Sequence, residues 1–326
     1  MSEDSSLQSL RTPPDANAYI VLPDEFGRRF ALFVDTEEDF DWSRPFSRTG
    51  HSTRSMSALA DFQARMDSAG VKPVYLVDHA VASAADPVSL LRGFQDAGTC
   101  TIGAHLHPWI NPPHEEPLSG PNSFAGNLPP ELERAKLALL TETIERAFGR
   151  RPTLFRAGRY GVGGDTARFL VELGYTIDTS IRARFDYSAE KGPDFTDYRP
   201  IPYTLLGGRL LEIPLSAVYL GRFPGSTRMQ RQLARIGLAK RAALTPEGTS
   251  LADAKAAVDA LLAEDVRLFS LSFHSPSLVP GNTPFVRSQS DLDGFHGWWD
   301  GMLDHLAKRG IAPASIDEIA AAARPA

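Results

Sequence analysis

The sequence predicts an α/β protein of a single domain, a distorted (β/α)7-type barrel closed or nearly closed on itself. Three observations carry that expectation. Short β-type runs alternate with helical runs along the chain, and several of the helical runs end on a glycine. About seven such units recur, and no change of composition divides the 326 residues. Strands alternating with helices argue for a parallel sheet covered by helices, and that number of units favours a barrel over an open doubly wound sheet.

Taken in order, the first strand is expected at 29–35 (RFALFVD), followed by a helix over 57–69 with Gly70 just beyond it. A second strand at 72–78 (KPVYLVD) leads into a helical run ending at Gly98, and a third spans 99–107 (TCTIGAHLH). A long proline-rich loop precedes a helix over 130–148 that ends at Gly149. The fourth strand is 153–158 (TLFRAG), then a helix over 165–173 ends at Gly174. Runs at 175–181, 209–216 and 267–274 supply three more strands, and a last long helix covers about 289–308. Ser315 and Glu318 have the spacing of a capping box opening a C-terminal helix. Residues 1–24 are expected to form a flexible arm and 25–326 the barrel, with a basic insert near 216–245.

Composition narrows the function classes. Apolar residues make up 42% and charged residues 23%, the balance of a globular protein. A net charge of −6 gives no electrostatic ground for binding nucleic acid. The single cysteine, Cys100, excludes an internal disulfide and a cysteine-based zinc finger. The polar, acidic opening lacks the pattern of a signal peptide, and no run is long and apolar enough to span a bilayer, so a cytoplasmic location is expected.

In β/α barrels the active site lies at the C-terminal strand ends. Polar residues at or near those ends are Asp35, Asp78, His105, His107, Arg156, Asp178, Glu212 and His274. Strand alternation puts Asp35 and Glu37 on one face, where one could bind a metal and the other act as a base, unless the segment is only an acidic surface turn. It also puts His105 and His107 on one face within reach of one ion. His114, in the following loop, is a spare ligand. Arg156 could orient a carboxylate such as Asp35, and the adjoining glycine turn could leave N–H groups facing an oxyanion. His274 could protonate a leaving amine, or be a hydrogen-bonded structural histidine.

In the order VDTEEDFDW, HLHPW, FRAGRYG and LSFHSPS, these motifs resemble the polysaccharide deacetylase family, also called the NodB homology or carbohydrate esterase type, and its WalW-like branch most. The resemblance runs from about Phe30 to Glu318. It implies that Asp35 is the catalytic base, that Arg156 holds it, and that Glu37, His105 and His107 bind the metal. It implies further that the Tyr160 N–H meets the oxyanion, Asp178 tunes the last histidine, and His274 is that histidine. Trp109, Trp42, Gly161, Glu212 and Leu271 are the expected substrate-binding residues.

Two departures from the family pattern leave alternatives. The position four residues after His105 is Trp109 rather than histidine, so His107 is the second ligand and His114 the fallback. The segment Asp35-Thr36-Glu37 replaces an Asp-Asp pair, so Glu38 or Asp39 could bind metal in place of Glu37.

The expected cofactor is a divalent metal, Zn²⁺ first, with Co²⁺ or Ni²⁺ as alternatives. The expected substrate is an N-acylated amino sugar or a polysaccharide precursor. Competing readings are an amidohydrolase-superfamily enzyme, a metal-independent glycoside hydrolase using Asp35 and Glu212, and a non-catalytic carbohydrate-binding barrel. The insert carries Arg222, Arg228, Arg231, Arg235, Lys240 and Arg241 without an acidic residue. It reads as a solvated helix face, or alternatively as a patch meeting an anionic carrier or membrane surface.

Overall fold

A computed structural model describes residues 8–41, 44–221, 227–235 and 238–323. Its strands in chain order are β1 (Arg28–Thr36), β2 (Val74–Val77), β3 (Thr101–Leu106), β4 (Leu154–Ala157), β5 (Ile177–Asp178), β6 (Tyr203–Leu205), β7 (Leu210–Glu212), β8 (Ala217–Gly221), β9 (Ala239–Ala243), β10 (Leu268–His274) and β11 (Ile311–Pro313). Seven of them run parallel in the order β10-β1-β2-β3-β4-β5-β7. These are the seven strands expected from the sequence.

Among the described residues no regular ladder joins β7 to β10, but hydrogen bonds cross that gap. The Ser270 N–H donates to Ser216 Oγ at 2.9 Å, and the Ser272 N–H to the Leu244 carbonyl at 3.2 Å. Both β2 and β4 are buried along their whole length, as expected of parallel strands covered on both faces. Continuous apolar runs such as FALFV in β1 therefore mark strands here where strict alternation is absent.

The helices Pro130–Phe148 and Gln289–Lys308 lie where periodicity put them. Gly149, at φ 69°, closes the first of these by donating its N–H to the Glu145 carbonyl at 2.8 Å. Ser315 and Glu318 form the expected capping box. The helix Leu251–Ala263, the short strands β6 and β11, and a separate β8–β9 hairpin were not anticipated. The alanine-rich helix and three-residue strands carry little periodic signal.

Two expectations change. The insert near 216–245 is an antiparallel hairpin with the helix Thr227–Arg235 between its arms, not one basic helical face. Arg222 and the side chains of Arg228, Arg231 and Arg235 lie outside the described residues. In the expected flexible arm, residues 8–24 are docked on the barrel. Leu10 is buried and its carbonyl accepts from Tyr198 Oη, while Arg267 donates to the carbonyls of Leu22 and Pro23. Among the described residues no helix is long and apolar enough to cross a membrane.

One buried lysine positions the loop after β3. Lys136 Nζ donates to the carbonyls of Pro108, Asn111 and Pro113 at 3.0, 2.6 and 2.7 Å and pairs with Glu116 at 3.1 Å. Its side chain is wholly enclosed, so these partners replace water. Lys136→Met should leave the carbonyls without this donor and Glu116 with only Arg48, at 4.0 Å, and cost about 3–5 kcal/mol, the range for breaking a buried ion pair. Urea unfolding measures this, and a loss under about 1 kcal/mol, typical of an exposed pair, would refute a structural role for the lysine.

Candidate metal centre and active site

The parallel register sets the rim. Asp35 lies beside His274 on β10, His105 beside Arg156 on β4, and Asp178 beside Glu212 on β7. Partners in a parallel pair point to the same face, so these residues project from three neighbouring pairs of strand ends.

Glu37, His105 and His107 converge. Glu37 Oε2 lies 3.5 Å from His105 Nε2 and 3.3 Å from His107 Nε2, and all three side chains are buried. Their candidate ligand atoms fall within 4.8 Å of one another, so the cluster can hold a metal ion. His105 Nδ1 lies 3.2 Å from the Arg156 carbonyl, which can only accept, so Nδ1 carries the proton and Nε2 offers its lone pair. His107 Nδ1 meets Glu38 Oε2 at 2.8 Å, and Trp109 Nε1 donates to Glu38 Oε1 at 2.9 Å. A carboxylate behind a histidine is the usual outer support of a metal ligand. Burial holds His107 down at about 4 and His105 well below the ordinary histidine range, so both rings are neutral near pH 7.

The charges fit a cation. Four buried carboxyl groups, Asp35, Glu37, Glu38 and Asp78, stand near one buried guanidinium, that of Arg156. Burial pushes Glu37 well up, reinforced by Glu38, Asp35 and Asp78 against the pull of His274. Burial also takes Glu38 to about 7, and raises Asp78 together with the charge of Glu38. A divalent ion bound there would let these groups ionise. Glu38, Asp78 and His107 form a second such grouping. However, Asp78 is already engaged as a helix cap, accepting from the N–H groups of Val81 and Glu38 at 2.7 and 2.8 Å.

Beside this cluster, Arg156 Nη1 donates to Asp35 Oδ1, while Nε and Nη2 bond the Thr179 carbonyl and Oγ1 at 3.0 and 3.1 Å. Burial pushes Asp35 up, but the Arg156 guanidinium, by its charge and its hydrogen bond and with the charge of His274, outweighs it and holds the carboxyl below its ordinary value. His274 Nε2 lies 3.6 Å from Asp35 Oδ2. Its Nδ1 is 2.6 Å from Glu247 Oε2, and Glu247 Oε1 accepts from the His274 N–H and from Ser277 Oγ. Burial lowers His274, but Glu247 and then Glu37 outweigh it and raise the ring to about 10.

Several expected residues lie elsewhere. Asp178 does not hold His274; Glu247 does, from a loop whose sequence (TPEGT) carries no catalytic signal. Asp178 is instead buried against Glu212, with Ser180 Oγ donating to it at 2.6 Å and the Ile181 N–H donating to Glu212 at 3.1 Å. Glu212 is therefore enclosed, held well above the ordinary range by burial and by Asp178, and cannot face a substrate.

Trp109 is buried behind His107, the rings stacked 4.2 Å apart, and does not line an opening. Leu271 is enclosed in the barrel core. Gly161 is a packing glycine, since a Cβ there would lie 2.7 Å from Phe124 Cα. His114 is exposed and shares its surroundings with Lys136 and Arg48, not with the metal cluster. Asp39 accepts from Ser52 Oγ and the N–H groups of Arg54 and Ser55 and belongs to neither cluster of converging ligand atoms. Trp42 lies outside the described residues.

Arg159 and Tyr160 adopt φ of 53° and 60°, a left-handed turn that stores strain. The half-buried Phe40 and Phe46, missed in the sequence, line a cleft of 600 Å³ with Arg159 and Glu190.

No protein-family model matches the chain, and no curated protein matches its sequence. Its fold is shared. A candidate polysaccharide deacetylase from Mycobacterium smegmatis superposes with a TM-score of 0.52 at 17% identity, covering 96% of this chain and 94% of the other. Puue allantoinase gives 0.50 at 16% identity, covering 95% and 93%. A GH57 branching enzyme from Thermococcus kodakaraensis gives 0.51 at 11% identity, covering 92% of this chain and 72% of that one. These likenesses establish the barrel as a fold.

The His274–Glu247 pair can be tested by titration. Glu247→Gln should bring His274 down from about 10 toward the ordinary value of about 6.5, read by NMR of the ring. Because the pKa is raised on folding, His274 stabilises the native chain fully below about 6.5 and loses that contribution as pH rises through about 10. The variant should lack this alkaline loss. An unmoved His274 titration would remove Glu247 from the site.

Proposed function

We propose that this chain is a metal-dependent deacetylase that removes an N-acyl group, acetyl above all, from an amino sugar or polysaccharide precursor. The observation that carries the reading is the convergence of Glu37, His105 and His107 beside two differently tuned acid–base groups, Asp35 and His274. The shared fold with a candidate polysaccharide deacetylase supports it, as does the motif order in the sequence.

Glu37 Oε2 and the Nε2 atoms of His105 and His107 would hold the ion, a two-histidine, one-carboxylate set of the kind that holds catalytic Zn²⁺ in hydrolases. When bound, a divalent ion supplies Lewis-acid polarisation of the acyl carbonyl and acidifies water. Asp35, kept ionised by Arg156, takes a proton from the attacking water. The water oxygen bonds to the carbonyl carbon as the C=O π pair moves onto oxygen, and the return of that pair breaks the C–N bond, giving a free amine and a carboxylic acid. His274, charged near neutral pH through Glu247, delivers the proton to the leaving nitrogen. The backbone N–H of Tyr160, in the left-handed turn after β4, is assigned to the oxyanion. Glu247 takes the tuning role expected of Asp178.

The glycoside-hydrolase alternative required Glu212 as its second carboxylate, and that group is enclosed against Asp178. His-x-His on the third barrel strand, rather than the first, also disfavours an amidohydrolase-type centre.

Elemental analysis of the purified chain should find about one zinc-class ion, lost in His105→Ala and in His107→Ala. Asp35→Asn should retain the ion while turnover of N-acetylated amino sugars falls about 10²- to 10⁴-fold, the usual worth of a general base. A chain that binds neither native metal nor added Zn²⁺, Co²⁺ or Ni²⁺ would sink the reading. Full activity in Asp35→Asn would remove Asp35 as the base.

A further inference from the structure

Next to the His274–Glu247 pair is a second cavity, of 580 Å³, within the size range of small-ligand sites. Glu247 belongs to both, with its carboxylate turned to His274 and Ser277. The lining also includes Arg182, which follows β5, and Arg241, on β9. Both guanidiniums lie against the ring of Phe185, with Cζ at 3.8 and 3.7 Å from its centroid. Arg182 also lies over the ring of Tyr160, at 5.3 Å.

Stacking of this kind fixes the plane of a guanidinium without using its N–H groups. Arg182 spends one donor on Tyr187 Oη at 3.1 Å, and Arg241 one on the Arg184 carbonyl at 3.3 Å. Each guanidinium has five donors, so several remain on each. Among the described residues neither arginine forms an ion pair. Lys240 in the same wall differs, being paired with Asp253 at 2.5 Å. Of the acidic lining groups, Glu247 is committed to His274, and Asp186 accepts from the Ser188 N–H and Oγ.

Two arginines stacked on Phe185, with no ion pair among the described residues, therefore line a cavity that shares Glu247 with the proposed proton donor. We infer that this cavity is an anion subsite in which Arg182 and Arg241 bind a negatively charged group, a phosphate or a carboxylate, carried by the sugar whose amide is cleaved. The identity of the rest of the substrate rests on the deacetylase reading; the anion site itself does not. Planar forked donors match both groups, because each presents paired oxygens. The substrate is then an acidic one, either a sugar phosphate or nucleotide-linked sugar, or a glycan containing a uronic acid.

The test is calorimetric titration of the full chain, in chloride buffer, with inorganic phosphate and separately with glucuronate. At least one should bind saturably at one site per chain. Arg182→Gln and Arg241→Gln should each weaken it about tenfold, the loss of one charge-assisted bond, and Lys240→Gln should leave it unchanged. Tighter phosphate binding identifies a phosphorylated or nucleotide-linked substrate, and tighter glucuronate binding an acidic glycan. Arg241 is exposed, so its variant tests the site even if Arg182→Gln misfolds. Absence of saturable binding to both anions overturns the inference. So does wild-type affinity in Arg241→Gln, or an equal loss in Lys240→Gln, which would mean only diffuse charge. Neither turnover nor a functional hydrolytic centre enters the readout, so failure of the deacetylase reading would show separately, in metal content and activity.

Discussion

Arg156 is the constraint on which the rim depends. It is fully enclosed, and its guanidinium reaches Asp35 on β1 and Thr179 just past β5, while its own carbonyl takes the Nδ1 proton of His105 on β3. One residue on β4 thus ties strand ends from four parts of the barrel. A buried guanidinium with all these partners is tolerable only because each is in place, and removing one leaves an uncompensated charge or dipole in a poorly solvated interior. The same residue keeps Asp35 ionised and fixes the tautomer of His105.

Around that tie the centre is built in shells. Glu38 stands behind His107, Asp78 caps a helix while meeting Glu38, and Trp109 stacks on the His107 ring and bonds the same carboxylate. The consequence is an imidazole with little freedom to turn. Gly158 belongs to the same packing, since a Cβ there would lie 2.4 Å from His107 Cδ2. Close backbone approach explains this glycine, and the loop clamped by Lys136 holds the far side of the segment.

The other half of the site comes from the segment after the hairpin insert. Glu247 reaches back to His274, and the hairpin that precedes it delivers Arg241 to the cavity next door. The insert therefore builds a wall. Of its described cations, Lys240 is paired with Asp253, while Arg241 is stacked on Phe185 and forms no ion pair among the described residues.

By itself the sequence determined the elements whose signals are local. Long amphipathic helices, glycine stops, capping boxes and continuous apolar strands all follow from the nearest few side chains, and so did the seven barrel strands. It also determined which residues stand at strand ends, because alternation and the barrel rule are both local. Tertiary structure alone decided partnership. Asp178 and Glu247 are both acidic residues in loops or short strands, and nothing near either one in the chain says which meets His274. The closing of β7 toward β10 brings Glu247 to the histidine and buries Asp178 against Glu212. Burial is likewise a property of the assembled barrel, which is why Trp109, Leu271 and Gly161 read as substrate contacts in sequence and are packing in the fold.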